Sequence, residues 1–315
     1  MPLEQVFLYV TQKCNIRCVT CYALDQLERS DDLELADVLQ MLRALRADGA
    51  WKLSFLGGEP TVYPGLGDVV VAAREIGFRF VRINTNGMFN ASLLHRASMR
   101  GVDVWCFSID GATAAVNDSI RKGARLDRVL ANMRLARDLG YEVRANATIT
   151  SKNIDQVFDI ISIVQDVGGT EVNLNVLFLM GYALDRQDLS VSPAAWRRTY
   201  DEVVRRHKEF ALRIKVPPAF AAPDELRQHR EDGHRCLAAD GTRSYVTSNG
   251  DMYPCLAVID DPSHRVGTYA GGRMLKMAPK IAPLDAIHDY CHFIKMNTDG
   301  LQPLCIFHKQ RLNAG

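Results

Sequence analysis

Two rhythms of hydrophobic and polar positions alternate from Val6 to about Ile214. Short β-rich runs stand at 6–11 (VFLYVT), 52–57 (KLSFLG), 79–85 (RFVRINT), 102–109 (VDVWCFSI), 142–149 (EVRANATI) and 171–178 (EVNLNVLF). Between them lie helical patterns, clearest in LELADVLQMLRALRADG (33–49), where apolar residues recur every three or four positions. Gly49, Gly77, Gly101, Gly140 and Gly168 each close such a pattern just before the next strand, as left-handed helix stops should. Six βα units in a row predict a parallel sheet with right-handed crossovers, either a partial barrel or an open doubly wound sheet.

Parity within the strands separates the two. Strands covered on both faces should be nearly continuous in apolar residues. Here Asn84 and Asn86, then Cys106, Ser108 and Asp110, then Asn146 and Thr148, then Asn173 and Asn175 share one polar parity. The opposite parity is apolar: Val81 and Ile83, Trp105 and Phe107, Val143 and Ala145, Val172 and Leu174. Outer helices would take the apolar side and leave the polar side facing inward. A packed closed barrel would not fill its lumen this way, whereas a wider or incomplete barrel around a polar cofactor would. The alternative is an open sheet with one face in water. The pattern favours a partial (β/α)6 TIM-like barrel over residues 1–215.

After Lys215 the alternation stops at a Pro/Ala linker, PPAFAAP (217–223). The C-terminal part, 216–315, reads as a smaller cysteine-containing domain with a β-hairpin. Its signal is RSYVTSNGDMYPC, whose Asn249-Gly250 suits a type I′ turn.

Composition narrows the function classes. A net charge of +1 gives no electrostatic footprint for nucleic acid or an anionic membrane. The start MPLEQVFLYV lacks the layout of a secretion signal, and no apolar run is long enough to span a membrane. The eight cysteines are therefore expected in a reducing cytoplasm, where clustered thiols point to metal or redox chemistry.

Three of them crowd into KCNIRCVTCY: Cys14, Cys18 and Cys21, directly after the first strand. Parallel α/β folds build their sites at that end of the sheet. Three thiolates on one loop can hold three irons of a 4Fe–4S cube and leave the fourth open, although a structural zinc with a distant fourth ligand has the same start.

The chain resembles the radical S-adenosylmethionine (radical SAM) superfamily at this loop and beyond it. LGGEP places Gly57, Gly58 and Glu59 after the second strand, where the family has its GGE motif. Glycines let backbone approach closely, and a carboxylate accepts from an ammonium. NTNG (84–87), SIDG (108–111) and SIRKG (119–123) resemble the family's later motifs. The resemblance implies that Glu59 holds the methionyl amino group of S-adenosylmethionine (SAM) and Arg121 its carboxylate. It also implies that Ser108 and Asp110 face the ribose or amino-acid end, with Asn86 beside them, and it extends the contacts to Tyr22 and Asn146. Thr20 departs from the aromatic residue usual before the third cysteine.

A second resemblance covers the C-terminal part. Cys236, Gly250 and Cys255 match the first half of the pattern in SPASM and the shorter twitch domains, which append auxiliary iron–sulfur clusters. Only Cys291 and Cys305 follow, so one auxiliary 4Fe–4S cluster is expected. Zinc is the rival, since His288, His292 and His308 stand beside those two cysteines. Cys106 reads as a small buried apolar residue, or as a hydrogen-atom donor or relay near the substrate.

The implied activity is reductive cleavage of SAM to a 5′-deoxyadenosyl radical that takes a hydrogen atom from a substrate, with net oxidation or bond formation. A reductant such as flavodoxin or ferredoxin is the implied partner. The few residues ahead of the first strand would leave no room for a leader-peptide-binding domain. A small natural-product-type substrate is therefore expected ahead of a ribosomally made peptide. A non-catalytic zinc or iron–sulfur scaffold is the remote alternative.

Overall fold

The computed structural model describes residues 3–23, 32–177, 179, 183, 185–222, 224–225, 241–259, 261–270, 273–276, 301–303 and 310–313. Cys236, Cys291, Cys305, His288, His292 and His308 lie outside them.

Each of the six strand runs forms a strand: β1 (Gln5–Tyr9), β3 (Lys52–Leu56), β4 (Phe80–Thr85), β5 (Val104–Ser108), β7 (Glu142–Ile149) and β8 (Glu171–Val176). They pair in parallel in chain order, followed by β9 (Arg213–Val216). Short β2 (Arg17–Cys18) and β6 (Arg121–Lys122) pair separately. β10 (Phe220–Ala221) meets β15 (Gln302–Pro303). β11 (Arg243–Val246) joins β1 in parallel, and β12 (Asp251–Tyr253), β13 (Gly267–Ala270) and β14 (Arg273–Lys276) continue the sheet antiparallel. β16 (Gln310–Leu312) closes the other edge against β9. The two edges do not meet, so the α/β barrel is partial.

The helices follow the apolar stripes. In α1 (Leu35–Ala47) the buried positions are Val38, Met41, Leu42 and Leu45, and in α2 (Leu66–Ile76) Leu66, Val69, Val70 and Ala73. The spacing of 0, 3, 4 and 7 marks one helical face. α3 (Ala114–Ile120) is short, while α4 (Leu126–Asp138), α5 (Val157–Asp166) and α6 (Pro193–Arg206) cover the remaining strands. Gly49, Gly77, Gly140 and Gly168 have φ between +82° and +108°; Gly101 instead ends a 3-10 turn without a left-handed φ.

The strand parity decides the layering. Leu53, Phe55, Val81, Ile83, Trp105, Phe107, Ala145, Val172 and Leu174 are fully buried in one core with the helices. The polar parity is left on the concave side. A doubly wound sheet would bury both faces under helices, so the alternation itself selects the barrel.

The hairpin turn differs from the type I′ expected. Thr247 N donates to Asp251 O and Gly250 N to Thr247 O, and only Gly250, at φ +88°, is left-handed. A type I′ turn needs positive φ at both central residues; Ser248, Asn249 and Gly250 instead make a three-residue loop with the glycine at its bulge.

Candidate active site

The cysteine loop leaves β1 at the C-terminal ends of the parallel strands and packs onto the second strand's turn. Gly58 N donates to Thr11 O (2.9 Å) and Glu59 N to Lys13 O (2.8 Å). A Cβ on Gly57 would lie 2.2 Å from Thr11 O, and one on Gly58 would lie 2.3 Å from Lys13 O. The close approach these glycines permit is thus to the cysteine loop itself. Cys18 pairs in register with Arg121 through β2 and β6, which fixes the far side of the loop.

All three thiols are half-buried, and burial raises the pKa of each. Cys18 is pushed up to about 12 by burial, against the pull of Arg121. Cys18 lies close enough to Cys14 and Cys21 to feel their charge. Buried thiols of this kind become thiolates when a metal displaces their protons. Among the described residues no three His, Cys, Asp or Glu side chains converge on a single-ion position. Asn86 Nδ2 lies 3.7 Å from Cys14 Sγ and donates to Asn15 Oδ1 at 2.7 Å.

Glu59 sits 1% exposed beneath this loop. Its Oε1 accepts from Thr61 N (3.1 Å), Thr61 Oγ1 (2.7 Å) and Thr85 Oγ1 (2.7 Å), and among the described residues its Oε2 accepts only from Asn86 N (2.6 Å). Burial still lifts its pKa despite those donors. A buried carboxylate with one oxygen under-used is a ready partner for a cation.

Asp110 and Arg121 form a buried ion pair at 2.7 Å. Asp110 Oδ1 accepts from Thr148 N (2.7 Å), Asp110 N donates to Asn117 Oδ1 (2.9 Å), and Asn153 Nδ2 donates to Asp110 O (2.7 Å). Burial opposes the charge on Arg121, but Cys18 and Asp110 raise its pKa overall. Its Nε is buried and has no hydrogen-bond partner among the described residues.

Ser108 and Asn146 face each other across β5 and β7, and Asn146 Nδ2 donates to Asn84 Oδ1 at 3.5 Å. Tyr22 and Tyr9 share a 2.5 Å hydroxyl contact beside the loop. Cys106 is fully buried in the β5 wall. Cys255 follows β12, is 7% exposed, and its Sγ accepts from Ala257 N at 3.4 Å. The strand parity had not marked Thr61, Thr85, Asn117 or Asn153 as site residues. Thr85 lay inside NTNG and carried a signal; a threonine at a strand end otherwise reads as a β-former.

The model of the Radical SAM superfamily matches residues 8–164. A probable GTP 3′,8-cyclase of Saccharolobus solfataricus is 26% identical over 181 residues, covering 57% of this chain and 59% of the relative. The chain thus spans well under two thirds of that relative's length. An AdoMet-dependent heme synthase of Methanosarcina barkeri is 24% identical over 267 residues, covering 78% and 74%. In fold, Streptococcus suis SuiB bound to precursor peptide SuiA superposes with a TM-score of 0.69 at 18% identity, covering 93% of this chain and 66% of that one. Native anSMEcpe with bound AdoMet gives 0.64 at 17%, covering 85% and 78%. The matched residues contain the cysteine loop, the GGE turn and strands β3 to β7, and the chain belongs to the radical SAM superfamily.

Proposed function

We propose that the protein cleaves SAM reductively at a 4Fe–4S cluster held by Cys14, Cys18 and Cys21, yielding methionine and a 5′-deoxyadenosyl radical that takes a hydrogen atom from a small substrate in the strand-lined chamber. The observation that carries this reading is the buried Glu59, tied through Asn86 to the cysteine loop, since Asn86 N donates to Glu59 Oε2 and Asn86 Nδ2 lies 3.7 Å from Cys14 Sγ, with Glu59 and Arg121 both near enough to Cys14 to act on its charge. An amino acid end with an ammonium and a carboxylate fits between those two charges.

The other residues position and exclude. Thr61, Thr85 and Asn86 hold Glu59 rigid; Asp110 holds Arg121, so Asp110 acts through the arginine. Ser108 and Asn146 line the adjacent wall, where ribose hydroxyls find partners, and Tyr22 packs beside the loop. The side chains of the chamber exclude bulk water from the reacting atoms.

Residues from 216 on are proposed to form the auxiliary domain, with Cys255, Cys236, Cys291 and Cys305 ligating a second 4Fe–4S cluster. That cluster would accept the electron left on the substrate, making the reaction oxidative. A flavodoxin or ferredoxin would supply the first electron. No helix among the described residues is long and apolar enough to cross a membrane.

A small substrate is favoured because the concave wall carries amides and charges at Asn84, Asn146, Asn173, Asn175 and Arg82, a surface suited to a compact polar molecule. The relatives named for GTP cyclisation and heme synthesis are in keeping with it. A peptide is the second reading, since SuiB shares the fold and was solved with its precursor peptide.

The test is anaerobic reconstitution with iron and sulfide, dithionite reduction, and chromatography for 5′-deoxyadenosine. Wild type should produce it, and a Cys14/Cys18/Cys21 triple-alanine protein should not while keeping the auxiliary iron. A fully reconstituted, reduced wild type that leaves SAM intact would remove the proposal and favour a scaffold.

A further inference from the structure

Four lumen-facing positions on β4, β7 and β9 carry cations, namely Arg82, Arg144, Arg213 and Lys215, while the same faces of β7 and β8 supply two carboxylates, Glu142 and Glu171. The carboxylates are already taken. Glu171 binds Lys215 at 2.7 Å, Arg144 at 3.4 Å and Arg213 at 3.5 Å, and Glu142 binds Arg144 at 2.8 Å and Arg213 at 3.2 Å. Arg82 is left out of this network. Among the described residues its Nε is buried without a hydrogen-bond partner, its guanidinium stands 5.7 Å from the centroid of the Phe7 ring, and its charge is felt by the Cys106 thiol on the neighbouring strand.

Placement makes Arg82 more than a surface cation. It shares its strand face with Asn84, the next lumen position toward the cysteine loop, and Asn84 donates to Phe55 O. On the neighbouring strand Ser54 is fully buried and small, which lets the Arg82 side chain reach over it to Phe7. Phe7 stacks on Tyr245 at 4.5 Å and 7°, so its other face is the one turned to Arg82. Tyr9, Tyr245, Tyr253 and Leu56 continue that wall as one apolar cluster. The chamber therefore has a basic corner with a surplus charge and an aromatic wall next to it.

We infer that Arg82 is the specificity-determining residue of the chamber and that the substrate carries an anionic group, carboxylate or phosphate, on an apolar or aromatic body. The anion pairs with the guanidinium in the two-pronged way that arginine favours, and the body lies along Phe7 and Tyr9 toward the cysteine loop. A half-desolvated arginine with no carboxylate partner among the described residues gains most from a ligand that brings one. The inference rests on the small-substrate reading above.

The test is calorimetric titration of the reconstituted full chain, with saturating SAM and also without it, using benzoate, phenyl phosphate and the neutral isostere benzamide. Wild type should bind both anions at least tenfold more tightly than benzamide. Arg82→Met should weaken both anions at least tenfold and leave benzamide where it was, while Arg82→Lys should stay within about fivefold of wild type. The benzoate and phenyl phosphate arms separate a carboxylate from a phosphate. Equal affinity for anion and amide in wild type would overturn the inference, as would anion binding that survives Arg82→Met, or no binding of either anion. Because titration needs no turnover, its outcome is independent of the 5′-deoxyadenosine assay, which alone judges the radical reading.

Discussion

Asp110 Oδ2 and Arg121 Nη1 meet at 2.7 Å with side chains 1% and 11% exposed, so the pair that carries the SIDG and SIRKG motifs is an internal ion pair. Breaking such a pair leaves one buried charge alone and costs about 3–5 kcal/mol. Arg121→Met should therefore lower the urea midpoint of the cluster-free protein strongly. The double variant Asp110→Asn/Arg121→Met should recover a large part of that loss, since no charge is stranded. Additive losses in the cycle would show that the two groups do not depend on each other.

The two glycines of LGGEP should be far less replaceable than a helix-stop glycine. In Gly58→Ala the new Cβ would meet backbone oxygens of Lys13 at 2.3 Å and Gln12 at 2.4 Å, which can yield only if the cysteine loop moves. Gly140 has nothing within 4 Å, so Gly140→Ala pays only for a left-handed φ of +86°, about 1–2 kcal/mol. Both variants should lose stability. Gly58→Ala alone should also lose iron and sulfide on reconstitution, read by metal counting and the cluster's visible absorption.

How far the chain was legible follows from which signals are local. Strand parity is local: one polar and one apolar set in β4, β5, β7 and β8 was enough to place the helices outside and the amides inside. Cys14, Cys18, Cys21 and Glu59 were legible because their motifs sit at strand ends. Thr85 was not legible as a donor to Glu59, because it reaches the carboxylate only through the β3–β4 pairing, and Thr61, which donates to it locally from two residues on, stands in no motif that marks it. The Asn249-Gly250 turn was misjudged for a related reason. The dipeptide fits more than one loop length, and the Thr247–Asp251 pairing selects the longer one.

Thr85 should matter to SAM through Glu59, to which its Oγ1 donates while accepting from Gly87 N. Thr85→Val keeps the shape and removes the 2.7 Å donor to Oε1. A hydrogen bond to a charged group contributes about 1.5–3 kcal/mol, and loss of even the lower figure amounts to about tenfold in affinity if it is felt at the ammonium. Equilibrium dialysis of SAM against the reconstituted variant should show a weaker Kd of that order. An unchanged Kd would mean that Thr61 and Asn86 suffice to hold the carboxylate.

The acid limb of stability should report Glu171. Burial works against its charge, but Lys215, Arg144 and Arg213 hold its pKa below the ordinary 4.5. A carboxyl depressed in the folded state stabilises above its unfolded pKa and loses that contribution as pH falls through the folded value. Glu171→Gln should accordingly be less stable than wild type at pH 7. The gap between their denaturation midpoints should hold down to about pH 4.5 and shrink below it. A gap that does not change across the acid range would assign the effect to packing.

Cys106 offers a choice between wall and relay. It is fully buried in β5, paired in register with Asn84 on one side and Arg144 on the other. Burial raises its thiol pKa, the nearby Arg82 notwithstanding, so the group stays protonated near neutral pH. A protonated, inaccessible thiol is inert to alkylation, so iodoacetamide should label it only after unfolding. If it is wall, Cys106→Ala leaves a methyl-sized gap costing about 1 kcal/mol and gives the same product from the substrate, with deuterium incorporated from solvent to the same extent. If it is a hydrogen-atom donor, stability changes as little but the product or its deuterium content changes. Its complete burial favours the wall, and mass spectrometry of the product in heavy water distinguishes the two.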